Sequence, residues 1–133
     1  MKALTKDQVA AVVTEAGKKM SDPNYASVLV GEFVQSQPQV TQFISAHEQE
    51  LGGTEAIVSV IFHCALVAQC YLRNGGRIRS MNYEDLDGAA RGEPMPRLEK
   101  SQLPLHEFIA ANVENVDAQK LIAMIALAID ATA

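Results

Sequence analysis

The chain has 133 residues, enough for one domain with its own hydrophobic core and no covalent staples. Hydrophobic residues make up 48%, and the formal net charge of −5 argues against nucleic-acid or anionic-membrane binding, which need basic surface. The only two cysteines, Cys64 and Cys70, lie on one expected helix about 9 Å apart along its axis, too far for an internal disulfide. They read as small buried hydrophobes in a reducing, cytoplasmic setting.

The opening MKALTKDQVAAVV is interrupted by Lys6 and Asp7 and holds no apolar stretch long enough for a signal peptide. A first helix is expected from Thr5, with Val9, Val12, Val13, Ala16 and Met20 at helical spacing and Lys18 and Lys19 at its C-terminal end. Ser21-Asp22-Pro23-Asn24 stops it and starts a second, with Pro23 in the first turn. That helix carries Tyr25, Val28, Leu29 and Phe33 on one face. Gly31 in its interior marks either a close helix crossing or a weak point. Ser36-Gln37-Pro38-Gln39 reads as a capping box for a third helix striped by Val40, Phe43, Ile44, His47 and Leu51, which Gly52-Gly53 ends.

The stretch 54–73, TEAIVSVIFHCALVAQCYLR, is the longest nearly unbroken apolar run. At about 100° per residue, Glu55, Ser59, His63, Gln69, Cys70 and Arg73 share an arc of roughly 120° with Phe62 and Leu66. The remaining arc is apolar, about twice the width of an ordinary surface-helix stripe, so this helix needs neighbours on several sides. It is the expected centre of a bundle. The run is short for a membrane span and contains His63 and Gln69, and amphipathic helices flank it, so no membrane crossing is expected.

Asn74-Gly75-Gly76 is a strong stop. From 75 to 104 the chain holds several glycines and prolines, no long periodic pattern, and at most a short helix capped by Asn82. Two further helices are expected. One is striped by Leu105, Phe108, Ile109, Asn112 and Val113 with Pro104 in its opening turn; the other runs from about Asp117 to the end and is apolar enough to be largely covered.

Motifs for chemistry are scarce. His47, His63 and His106 invite a metal hypothesis, but no Glu-x-x-His pair occurs, and His47-Glu48-Gln49-Glu50 lacks the second histidine of the zinc-protease motif. The cysteines do not have zinc spacing. Aligning Gly88 with the glycine of a calcium loop puts Tyr83 and Pro94 where carboxylates belong, so that match fails. No nucleophile elbow, P-loop or dinucleotide fingerprint is present. The sharpest irregularity lies in the charges. No Lys or Arg separates Lys19 from Arg73, while Asp22, Glu32, Glu48, Glu50 and Glu55 fall between them, and all the arginines (Arg73, Arg77, Arg79, Arg91 and Arg97) follow in one segment. Those forks meet the acidic helices, offer a partner- or anion-binding surface around Arg73, Arg77 and Arg79, or decorate a solvated loop.

The sequence thus predicts an all-α, single-domain helical bundle of about five to six helices around the buried helix 54–73, with an irregular arginine-bearing connector at 75–104. For function it predicts a non-enzymatic, self-associating interaction module in the cytoplasm, with no cofactor, metal, nucleic-acid or membrane partner. Phe62 and Leu66, inside the polar seam, are ordinary core if the connector or another helix covers them, and otherwise the candidate apolar contacts for a second copy or another protein. The alternative is a small-ligand- or metal-binding bundle using His47 and His63 in an interhelical pocket.

Overall fold

Thr5 opens α1 (Lys6–Lys19) with a reciprocal cap: its Oγ1 accepts from the Gln8 amide and Gln8 Oε1 accepts from the Thr5 amide. The computed structural model describes residues 3–133, and every regular element among them is a helix. After α1 come α2 (Tyr25–Ser36), α3 (Pro38–Ser45), α4 (Glu48–Leu51) and α5 (Thr54–Leu72). α6 (Tyr83–Ala89), α7 (Pro94–Ser101), α8 (Leu103–Asn112) and α9 (Val116–Thr132) complete the chain.

α5 is the centre of the bundle. It packs against α1, α2, α3, α4 and α9 and buries Ile57, Val60, Ile61, Cys64, Leu66, Val67 and Tyr71 among others. Its length and apolarity alone would suit a membrane span, but more than half of the most apolar window is covered by the other helices. Each large aliphatic side chain buried there contributes up to about 1.5–3 kcal/mol before chain entropy is counted. α9, the second apolar helix, lies against α5 and α7 and buries Leu121, Ile122, Ile125 and Ile129.

Nine helices among the described residues exceed the expected five to six for two local reasons. The third predicted helix breaks at Ala46 and His47 into α3 and α4, and the segment 75–104 is not irregular throughout but forms α6 and α7. Several predicted caps also change. Ser36 closes α2, its Oγ donating to the Phe33 carbonyl, so the Ser36–Gln39 box does not form. Pro23 precedes α2 rather than entering its first turn. Thr54, whose hydroxyl suits a cap by residue type, is the first residue of α5 and donates that hydroxyl to Glu48 Oε1 at 3.0 Å, while Gly53, at φ 126°, a backbone angle that L side chains rarely adopt, occupies the cap position. Asn82 does cap α6, in a box with Asp85.

The order of packing reveals a repeat. α2 lies on α5 as α7 lies on α9; α2 meets α3 as α7 meets α8; α1 and α3 meet α5 as α6 and α8 meet α9. Across the halves, α1 touches α8 and α6 touches α3, while α5 and α9 touch each other. Only α4 has no counterpart. Around the α2–α3 and α7–α8 junctions the sequence carries the same repeat at an offset of 65: Ser36-Gln37 with Phe43-Ile44 recurs as Ser101-Gln102 with Phe108-Ile109.

Two buried glutamines clasp the halves together. Gln37 and Gln102 sit at equivalent helix junctions with nearly the same backbone, φ −131° ψ 63° and φ −145° ψ 69°. Gln37 Oε1 accepts from the Met81 amide at 2.8 Å, and its Nε2 donates to the Arg79 carbonyl at 2.9 Å. Gln102 Oε1 accepts from the Leu4 amide at 2.8 Å, and its Nε2 donates to Asp130 Oδ1, which also accepts from the Tyr71 hydroxyl. Each glutamine therefore holds the residue just before the first helix of the other half. Burial, then the nearby Asp130 carboxylate, raises the Tyr71 phenol well above its ordinary range and keeps it a donor.

Candidate interaction groove

The first half is longer than the second. At the offset of 65, Pro94, the first residue of α7, is equivalent to Leu29, so residues 25–28 of α2 have no counterpart. α2 lays Leu29 and Phe33 against the core, and its overhanging first turn walls a concave space above the N-terminal half of α5. The groove has a volume of about 490 Å³ and is lined by Met20, Ala26, Ser27, Val30 and Gly31 on one side and Glu55, Val58, Ser59 and Phe62 on the other. Met20 is 51% and Val58 47% exposed, although both are apolar. A Cβ on Gly31 would meet nothing within 4 Å, so this glycine marks no close crossing; it leaves the groove wall open.

Of the two apolar contacts expected from the seam of α5, the structure separates one from the other. Phe62 lines the groove, half-buried. Leu66, one turn on, is 5% exposed and belongs to the core. Val58, assigned by the helical wheel to the covered arc, is instead the exposed partner of Phe62. The wheel gives angles but not where a crossing neighbour ends.

The arginines do not converge. Arg73 pairs with Glu15, which also holds Lys19 at 2.6 Å; Arg73 first and Lys19 second hold the Glu15 carboxyl down to about 2. Arg79 makes a bidentate pair with Asp85 at 2.7 and 2.8 Å, which keeps that carboxyl below its usual range. Arg97 donates to the carbonyls of Ala89 and Arg91, tying α7 to the end of α6. Arg77 is exposed. Two of the three candidates for an anion surface are thus already matched by carboxylates.

The histidines are dispersed as well. His47 Nδ1 lies 2.8 Å from the Phe43 carbonyl, with its ring tilted on Phe43 and Nε2 3.9 Å from Glu50. His63 Nδ1 lies 2.7 Å from the Ser59 carbonyl, and its ring faces Phe62 and Phe108. A cavity of about 300 Å³ between α5 and the α8–α9 junction includes Ser59, His63, Asn112 and Glu114, but not His47. His106 Nδ1 is buried without a hydrogen bond, 3.7 Å from Glu99. No group of three or more His, Cys, Asp or Glu suited to a metal occurs among the described residues. Burial pushes the Cys64 thiol far above its ordinary range and that of Cys70 up to about 12, so neither is a ready nucleophile.

Sequence reasoning missed Val58, Met20 and Val30 as surface residues, and Gln37 and Gln102 as paired clasps. The repeated Ser-Gln and Phe-Ile pairs were the available signal for the glutamines; nothing local marked Val58. No family model matches the chain, and no curated protein or solved structure is similar to it.

Proposed function

We propose that this chain is a non-enzymatic helical interaction module whose binding face is the groove between α2 and α5. One observation carries this reading: Met20 and Val58, half exposed, line a continuous apolar concavity with Val30 and Phe62, where a monomeric surface gains nothing by leaving them in water. The dispersal of the histidines and the burial of both thiols remove the groups that a catalytic reading would use. The two free, buried thiols also fit a reducing cytoplasm. A second copy of the chain or a different protein can fill such a face, and self-association is the simpler arrangement to test.

The cavity beside His63 supports a second reading, a pocket for a small polar ligand, with Ser59, Asn112 and Glu114 as its other polar groups. His47 is not part of it. Light scattering across a dilution series, with metal and small-molecule analysis of the same preparation, separates the readings. A protein free of stoichiometric ligand, whose mass above the monomer is lost in Val58→Glu, supports a self-associating module; a ligand-free monomer directs the groove to another protein. A tightly held ligand that disappears in His63→Ala overturns the module.

A further inference from the structure

We propose that the groove between α2 and α5 docks a cationic amphipathic helix from another protein, an inference that rests on the groove being the binding face. The charge distribution selects the occupant. Residues 20–72 carry five of the sixteen acids and none of the eleven Lys and Arg, so the rest of the chain, with eleven of each, is neutral. The whole net charge of −5 therefore sits on the segment that builds the groove.

Among the described residues, those carboxylates are not spent on pairs with lysine or arginine. Glu55 is exposed in the groove lining, and Glu48 accepts from the hydroxyl of Thr54, the residue next to Glu55. Asp22 stands in the turn after Met20, Glu32 on the other flank of α2, and Glu50 beside His47. The cations at the Met20 end are Lys18 and Lys19, and Lys19 is engaged by Glu15. An occupant with positive charge at the edges and an apolar stripe in the middle matches this arrangement.

Size and shape agree. From Glu55 to Phe62 the floor is about two helical turns, or roughly 10 Å, which suits the i, i+4, i+7 anchors of a short helix. Val58 and Phe62 on one wall, with Val30 and Met20 on the other, receive such anchors. A two-fold dimer made groove to groove is the poorer fit, because it sets Glu55 and its neighbouring acids against the same acids of the second copy. The overhanging turn of α2 exists only in the first half, so the second half offers no equivalent wall.

The test uses two synthetic helices with the same leucine face, one with lysines and one with glutamates on the polar face, titrated by fluorescence anisotropy. The lysine helix is expected to bind the wild-type chain, to weaken as salt rises from 50 to 500 mM (a range chosen to screen exposed charges), to weaken roughly tenfold on Glu55→Lys, and to be lost on Val58→Glu. Met20→Glu, at an equally exposed position, guards against a folding artefact in Val58→Glu. Equal binding of both helices, lost in Val58→Glu, refutes the cationic occupant and leaves the groove as a docking face. Binding of neither, with a dimer that Val58→Glu dissociates, assigns the groove to a second copy and overturns this inference alone. Binding of neither by a monomer overturns both the inference and the groove reading.

Discussion

Replacing Gln37 with alanine tests whether the two halves are held by the glutamine clasps. Gln37 is 3% exposed, and the amide it satisfies belongs to Met81, itself 1% exposed, so water cannot take over that bond. An unsatisfied buried donor costs about 1–3 kcal/mol, and losing the bond to the Arg79 carbonyl adds about 1 kcal/mol. Freedom regained by the side chain returns part of this, leaving a net loss of about 1–3 kcal/mol. At about 2.1 cal/mol/K per residue, unfolding a chain of this length has an entropy near 280 cal/mol/K, so the melting temperature should fall by about 4–11 °C.

Thermal unfolding followed by circular dichroism measures this, with the exposed Gln35→Ala as a control expected within about 0.5 kcal/mol of wild type. Gln102→Ala should lose at least as much, since it strips a partner from both Leu4 and Asp130. Gln37→Glu adds a pH signature. One carboxylate oxygen would face the Arg79 carbonyl, so the folded state would favour the protonated form and raise its pKa above the unfolded value of about 4.3. Stability relative to wild type would then be greatest below that value and would fall as pH rises through the folded pKa. A drop below about 4 °C for both alanine variants would refute the clasps as structural elements.

Ile61→Asp, at a 4% exposed position in α5, should abolish the cooperative fold, because the change removes a core side chain and buries an unpaired charge; a soluble variant with an unchanged melting temperature would refute that. The Glu15–Arg73–Lys19 cluster predicts a pH-linked difference between wild type and Glu15→Gln. With its pKa depressed in the fold, Glu15 adds stability above its ordinary value of 4.5 that disappears as pH falls toward about 2; an equal difference at pH 2 and pH 7 would contradict the pairing. Cys64 and Cys70 should react with a thiol reagent only after denaturation, and rapid labelling of the native protein would refute their burial.

The long elements were legible in the sequence because their apolar period survives over several turns: α1, α5 and α9 begin and end within a residue or two of expectation. α6 was anticipated only through its Asn82 cap, and α7 was not anticipated, since it spans two turns or so and holds two prolines in its first three residues. There the stability comes from packing on α9 rather than from local pattern. The third predicted helix kept one stripe across Val40 to Leu51 although the backbone leaves the helix near His47, because Leu51 reaches the core from α4 as well as it would have from a continuous helix. Of the two apolar residues in the α5 seam, Phe62 lies in the groove lining and Leu66 in the core, a difference that helical period alone does not give. The charge asymmetry was visible from the start, but its meaning needed the fold: Arg73 and Arg79 turned out to be matched, and Glu55 of the acidic segment turned out to line a groove.

The most direct test of the groove is chemical-shift mapping of the isotope-labelled protein on titration with the lysine-faced helix. The account predicts saturable shifts at a ratio of about one to one, centred on Met20, Val30, Val58 and Phe62 and absent from the cavity beside His63. Shifts centred on His63 and Asn112, or none at any concentration, would contradict it.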